Sequence, residues 1–254
     1  MQGGAIVEFK NKVVVVTGGA NGIGKEIANA FKKEGAIVAI IDKEKSIPNC
    51  DYFHHGDISE KTTLDAFVDK ILSKYKKVDY IINNACLSRK GILSECSYED
   101  FLYVQKTGVI APYYLVLKLK QFLQGDSVII NISSTRAYMS QEDTESYSAA
   151  KGGITALTHS LAASLKGIAR VNAIAPGWID TSQGVWSKSD YNQHLTKSIG
   201  KTIDIANIVL FLCSKKGRFI TGQTFIVDGG MTKNMIYHGE HGWSYEDKND
   251  NDEN

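Results

Sequence analysis

Tyr147 and Lys151 stand four residues apart, and on a helix that spacing places both side chains on one face, one turn from each other. A phenol is a poor base at neutral pH until nearby positive charge favours its anion, so an adjacent ammonium can make a tyrosine a proton carrier. The Y-x-x-x-K spacing has little specificity by itself, because such pairs occur by chance on helix surfaces. Ser134, 13 residues before Tyr147, adds a hydroxyl just past the end of an apolar run. A second constellation lies near the start of the chain, where TGGANGIG at 17–24 puts Gly18, Gly22 and Gly24 directly after a β-branched run. Glycines at such a turn let backbone N–H groups approach a pyrophosphate and let the next helix lie close on the strand. Their spacing is G-x-x-x-G-x-G rather than G-x-G-x-x-G. Asp42, 18 residues after Gly24, follows a second apolar run, where a carboxylate can accept hydrogen bonds from an adenosine ribose. The plain reading of that aspartate is a solvated turn residue.

Both constellations need a frame that brings strand ends to one edge. The run KVVVVT at 12–17 predicts a strand, 22–34 a helix, and AIVAII at 36–41 a second strand. The alternation continues with a strand at 51–55, a helix at 60–73, a strand at 78–83 and one long helical stretch over 98–122. Strands at 127–133, 169–175 and 224–228 alternate with helices at 147–166 and 204–214. Strands this uniformly apolar, separated by helices, imply a parallel sheet covered on both faces. Right-handed crossovers then give an α/β fold of the Rossmann type, a doubly wound parallel sheet of about seven strands in a single domain over 12–230. The link DKEKSIPNCDY is too short for a helix and predicts a bare crossover loop. An N-terminal segment, 1–11, precedes the domain. A C-terminal tail, 231–254, follows it and ends in EDKNDNDEN, a composition expected to be disordered.

Composition narrows the partner. The 254 residues are 43% hydrophobic and 22% charged, with 29 Lys and Arg against 28 Asp and Glu, values of an ordinary globular chain with a substantial core. A net charge of +1 carries no electrostatic footprint for nucleic acid, which leaves a small molecule as the expected partner. No apolar run reaches the ~18 to 20 residues of a membrane span, and MQGGAIVEFK lacks the features of a secretory signal, so a cytoplasmic location is expected. Cys50, Cys86, Cys96 and Cys213 are scattered without a C-x-x-C pair, and are expected to be reduced thiols.

In the order and spacing of its motifs the chain resembles the classical short-chain dehydrogenase/reductase family, from about residue 12 to residue 230. The motifs are TGGANGIG, NNA at 83–85, Ser134, YSAAK at 147–151, PGWIDT at 176–181 and ITGQTFIVDGG at 220–230. The resemblance implies that Tyr147 is the catalytic acid/base, that Ser134 orients the substrate oxygen, and that Lys151 holds the nicotinamide ribose and favours the phenolate. It implies dinucleotide contacts from the turn residues Gly18, Asn21, Gly22, Ile23 and Gly24. Further contacts are implied from Asp42, from Asp57 and Ile58 near the adenine, from Asn84, from Tyr147 and Lys151, and from Ile179 to the carboxamide. The expected activity is NAD(H)-dependent interconversion of a secondary alcohol and a ketone, in a homodimer or homotetramer. NAD is expected over NADP, because an Asp42 carboxylate repels a 2′-phosphate.

Two positions depart from the family pattern. Cys86 stands in NNAC where the family usually has glycine, which brings a side chain close to the cofactor. Gln105, in VQKTG, stands where the family usually has an active-site asparagine, so its longer amide is either a working substitute in the proton relay or a structural residue. An NADPH-dependent 3-oxoacyl carrier-protein reductase is the alternative enzyme, although its usual basic residue in the glycine turn is Asn21 here. A non-catalytic dinucleotide sensor is the alternative outside catalysis. No metal site is expected: His238 and His241 lack an evident third ligand, and His54 and His55 flank a strand. Tyr113 and Tyr114 read as packing residues on a helix too apolar to be half exposed. Trp186 is the main apolar group in the polar segment 181–200, where the family forms its substrate lid.

Overall fold

The computed structural model describes residues 8–182, 184–240 and 244. Residues 1–7, His241, Trp243 and the polar tail, about which the sequence raised expectations, lie outside the described residues.

The chain begins with β1 (Val13–Thr17), α1 (Gly22–Lys33), β2 (Ile37–Asp42), β3 (Tyr52–His55), α2 (Lys61–Tyr75) and β4 (Tyr80–Asn83). It continues through α3 (Tyr98–Gln105), α4 (Ala111–Leu119), β5 (Ser127–Ile132), α5 (Glu145–Ser164) and β6 (Ala169–Pro176). Last come β7 (Ile179–Asp180), α6 (Lys188–Asn192), β8 (Gly200–Lys201), α7 (Thr202–Cys213) and β9 (Thr224–Val227). Seven strands pair in the order β3-β2-β1-β4-β5-β6-β9, every pair parallel, while β7 and β8 form a separate short pair. The β-branched run of β1 is buried from end to end, as are β4 and β5. Helices cover both faces: Ile27, Phe31, Val209 and Leu212 pack on one, and Phe67, Ile71, Leu115 and Leu119 on the other. That double burial explains why the strands read as apolar runs without alternation. This is the doubly wound α/β fold anticipated from the strand pattern.

Chain order reverses between β1 and β4. In open parallel sheets a crevice forms at the carboxyl ends of the strands beside such a reversal. Thr17, Asn83 and Asn131 lie there in register on β1, β4 and β5. The link between β2 and β3 holds no helix, as its length indicated.

One expected element is divided. The stretch 98–122 is helical almost throughout, but its register widens to a π-turn at Lys106–Ile110 between α3 and α4. The Ala111 N–H bonds to the Lys106 carbonyl, and Pro112, which has no N–H, removes one α-type bond at this point. The short elements β7, α6 and β8 were not foreseen, and α5 starts two residues earlier than expected. No helix among the described residues is long and apolar enough to cross a membrane.

A buried polar ladder couples the sheet to α5. The Asn83 side-chain amide donates to Asn131 Oδ1 at 2.8 Å, and Asn131 Nδ2 donates to Thr158 Oγ1 at 2.9 Å. Thr158 in turn donates to the Ile154 carbonyl at 2.8 Å. Replacing Asn131 with valine leaves the buried Asn83 amide without its acceptor. Asn131→Val is therefore expected to lower stability by about 1–3 kcal/mol, read as a lower urea midpoint at unchanged slope; an unshifted midpoint contradicts the ladder's role.

Candidate functional site

The glycine turn is held from below by β4. Thr17 Oγ1 accepts the backbone N–H groups of Asn84 and Ala85, each at 3.1 Å. The Asn84 amide donates back to the carbonyls of Thr17 at 3.1 Å and Gly18 at 2.8 Å. Gly18 has φ +67°, and a Cβ there would fall 2.9 Å from Ala85 Cα, so both the backbone conformation and the close approach require glycine. At Gly24 a Cβ would fall 2.2 Å from the Gly18 carbonyl oxygen, which is why α1 can start so close to the turn. Asn21, the residue before α1, makes no side-chain cap bond, and the first turn of α1 carries no acidic residue. Its N–H groups are thus unscreened by side-chain acceptors at a helix end that favours anions.

Beside this turn lies a cleft of about 560 Å³ lined by Gly18, Asn21, Gly22, Ile23, Asp42, Asp57, Ile58 and Asn84 among others. Asp42 closes one side with its carboxylate fixed twice, by the Ala20 N–H at 2.8 Å and the Glu44 N–H at 3.0 Å. A carboxylate has about four acceptor positions, so this one keeps capacity for ribose hydroxyls. At the far end Asp57 accepts the Ser59 N–H at 2.8 Å and the hydroxyl of Tyr103. Burial works against ionisation of Asp57, yet the hydrogen bonds from Tyr103 and Ser59 outweigh it and hold the carboxyl below its ordinary pKa. Burial, and then the bond to Asp57, push the Tyr103 hydroxyl up to about 12.

Cys86 lines the same cleft, as its replacement of glycine suggested. It sits against α3–α4, where a Cβ on Gly108 would fall 3.2 Å from its sulfur. Of two further residues expected at the cofactor, Asn84 lines this cleft and Ile179 does not. The Asn84 amide nitrogen is spent on the glycine turn, and the side chain of Ile179 packs against the core, leaving Thr181 as the cleft wall in that segment. Gly24 lies behind the turn as a packing glycine.

Beyond the cleft, a cavity of about 880 Å³ is lined by Ser134, Tyr147, Gly177, Trp178, Gln193 and Met231 among others. Ser134 lies at the end of β5 and Tyr147 in the first turn of α5, which explains how residues 13 apart in sequence share one wall. The Arg136 N–H donates to Ser134 Oγ at 3.1 Å, leaving the serine hydrogen free for an oxygen in the cavity. Lys151 is 4% exposed, and its ammonium donates to the Ile132 carbonyl at 2.7 Å. The same nitrogen lies 5.3 Å from the centre of the Tyr147 ring. Ser133 Oγ donates to the Lys151 carbonyl at 3.0 Å, tying β5 to α5 a second time.

Gln105 lines neither cavity. Its amide donates to the Ser146 carbonyl at 2.9 Å, immediately before Tyr147 and immediately before the π-turn. Trp186 packs edge-on to Trp178, with ring centres 4.8 Å apart, and its indole N–H donates to Asp180 at 3.2 Å. His54 packs against Phe67 and shares a hydrogen bond with Tyr52. No cluster of potential metal ligands occurs among the described residues. Tyr103 and Arg136 were not singled out in the sequence, since neither belongs to a motif and each is defined by contacts made only in the fold.

Residues 18–232 match the family model described as enoyl-(acyl carrier protein) reductase. A Thermotoga maritima protein named "uncharacterized oxidoreductase" is 39% identical over 255 residues, covering 90% of this chain and 99% of that protein. A Chlamydia pneumoniae 3-oxoacyl-[acyl-carrier-protein] reductase is 33% identical over 248 residues, covering 89% and 99%. Among solved structures, an apo SCOR enzyme from Clostridium thermocellum shares the fold with a TM-score of 0.85 and 44% identity, covering 93% of this chain and 98% of that one. A 3-ketoacyl-(acyl-carrier-protein) reductase from Brucella melitensis, complexed with NADH, has a TM-score of 0.80 at 30% identity, covering 88% and 99%. A blue fluorescent protein from a metagenomic library, in complex with NADPH, has a TM-score of 0.82 at 27% identity, covering 88% and 99%. The chain belongs to the short-chain dehydrogenase/reductase family, a family of oxidoreductases that bind a nicotinamide dinucleotide.

The bond from Gln105 to the Ser146 carbonyl ties the end of α3 to the residue before Tyr147. Gln105→Ala is expected to lower kcat by about tenfold while KM and the unfolding midpoint change little; an unchanged kcat removes Gln105 from the account.

Proposed function

We propose that this protein is an NAD(H)-dependent oxidoreductase that interconverts a secondary alcohol and a ketone, with Tyr147 as the acid/base. The observation that carries this reading is the shared cavity wall of Ser134 and Tyr147, with the Tyr147 ring beside the buried Lys151 ammonium. The dinucleotide, when bound, supplies the hydride acceptor or donor. In the oxidative direction Ser134 donates a hydrogen bond to the substrate oxygen, and Tyr147 takes the hydroxyl proton. Lys151 holds the nicotinamide ribose and keeps its ammonium beside the Tyr147 ring; Gly18, Asn21, Gly22 and Ile23, with the open end of α1, receive the pyrophosphate. Asp42 takes the adenosine ribose, Asp57 and Ile58 face the adenine, and Ile179 meets the carboxamide through its backbone. Asn84 serves by shaping the glycine turn.

Cofactor choice rests on Asp42. A carboxylate fixed by two backbone N–H groups cannot swing away from a 2′-phosphate, and repulsion at 4 Å amounts to roughly 4 kcal/mol at an effective dielectric of 20 before screening. A second reading is NADPH-dependent reduction of a 3-oxoacyl carrier-protein thioester; the names of several relatives favour its substrate and say nothing of its cofactor. The acidic Asp42 and the neutral Asn21 support NAD instead. An intact Ser134, Tyr147 and Lys151 set favours an enzyme over a sensor. A stripe of exposed apolar side chains on the π-turn and α4, Ile110, Tyr113 and Leu117, supports a homodimer or homotetramer.

The test is steady-state turnover on a panel of secondary alcohols and ketones with each cofactor. NAD is expected to exceed NADP in kcat/KM by about 10- to 1,000-fold, and Tyr147→Phe to abolish turnover while retaining dinucleotide affinity. A preference for NADP overturns the role of Asp42, and near-normal turnover in Tyr147→Phe overturns the mechanism.

A further inference from the structure

The substrate cavity has a polarity that the catalytic residues do not require. Among its described lining residues Arg136 carries the one formal charge at neutral pH, and no carboxylate lines it. Arg136 follows Ser134 by two residues, on the turn Thr135–Ala137, and its own N–H is the group that orients the Ser134 hydroxyl. Backbone geometry therefore ties the guanidinium to the atom that would hold the reacting oxygen. A hydrogen bond to Gln141, itself a wall residue, holds the side chain at the cavity. Gln141 is neutral, and Arg136 forms no ion pair among the described residues. A guanidinium has five N–H donors in a planar fork, so one bond to an amide oxygen leaves most of them free for an oxyanion.

Resting on the oxidoreductase reading above, we propose that the substrate is a secondary alcohol or ketone carrying an oxyanion, a carboxylate or a phosphate, that pairs with Arg136 while the carbinol or carbonyl oxygen sits at Ser134 and Tyr147. The anionic group takes no part in the redox step. The carbinol hydrogen leaves as hydride to NAD, the hydroxyl proton passes to Tyr147, and the oxyanion remains bound as the product becomes a ketone. Arg136 sets orientation: with the anion on the guanidinium, one face of the carbinol carbon is presented to the dinucleotide. Bonds of this charge-assisted, two-pronged kind favour carboxylates and phosphates over neutral hydroxyl groups.

The experiment compares matched substrates with NAD. Lactate, 3-hydroxybutyrate and 4-hydroxyvalerate are each set against the corresponding amide, and glycerol 3-phosphate against glycerol. In wild type the anionic member of at least one class is expected to exceed its neutral partner in kcat/KM by about 100-fold, and Arg136→Gln to reduce that preference at least about tenfold. The class that shows the preference distinguishes carboxylate from phosphate. Arg218→Gln, which removes the same charge from an exposed turn before β9, is expected to leave the preference unchanged. Equilibrium binding of the preferred anion to the NADH-loaded protein, by calorimetry, is expected to weaken in Arg136→Gln by a similar factor, and unfolding midpoints show whether the variant is folded. Equal use of anionic and neutral partners, or a preference that survives in Arg136→Gln, overturns the inference and leaves the oxidoreductase reading intact. Absence of turnover on both series, with dinucleotide binding retained, overturns the oxidoreductase reading and this inference with it.

Discussion

The buried ammonium of Lys151 is the constraint around which the site is arranged. Taking a charge out of water is expensive, and it is tolerated where hydrogen-bond acceptors replace the solvent. Here the acceptor is the Ile132 carbonyl at the end of β5, a group the sheet has left free because its strand stops there. That bond fixes where α5 can lie against the sheet. The Asn83–Asn131–Thr158 ladder and the Ser133 bond to the Lys151 carbonyl hold the same helix from two more points. Tyr147, one turn from Lys151, inherits its position from this arrangement.

The cleft beside the glycine turn is made rigid by different means. The glycine turn has few side chains of its own, so the atoms that shape it come from Thr17, Asn84 and Asp42, each bonded to backbone. A site assembled from backbone N–H groups and fixed carboxylates pays little reorganisation on binding, which is the condition under which a short turn can hold a pyrophosphate. The segment after β6 is built otherwise: Trp178 against Trp186, and Asp180 gathering N–H groups from Ser182, Gly184 and Trp186, give it a local structure of its own. The cleft beside the glycine turn is thus shaped largely by backbone, with Asp42 and Asp57 as its fixed charges, and the cavity beside Tyr147 largely by side chains.

That division explains what could be read from the sequence. Strand ends, the glycine turn and the Tyr147–Lys151 pair were legible because backbone geometry dictates residue type at fixed spacing, as with Gly18 at φ +67°. The parallel sheet was legible because strands buried on both faces must be apolar throughout. Arg136 and Tyr103 were not, since nothing local distinguishes an arginine that lines a cavity from one that is solvated. The π-turn was hidden for a similar reason: Pro112 reads as a possible helix break, and only packing against α5 decides that the helix continues with a widened turn. That the Asn84 amide braces the glycine turn was equally hidden, since its acceptors, the carbonyls of Thr17 and Gly18, are met only in the fold.

Lys151 is expected to join cofactor binding to proton transfer through one buried charge. Lys151→Met tests it most directly, because an apolar replacement for a buried ion is commonly tolerated by the fold. NADH affinity and single-turnover hydride transfer, measured on the same preparation, are the readouts. The expected result is a folded protein with affinity weakened by about tenfold and hydride transfer slowed by at least about 1,000-fold. Hydride transfer within a few-fold of wild type in a folded Lys151→Met protein would contradict it.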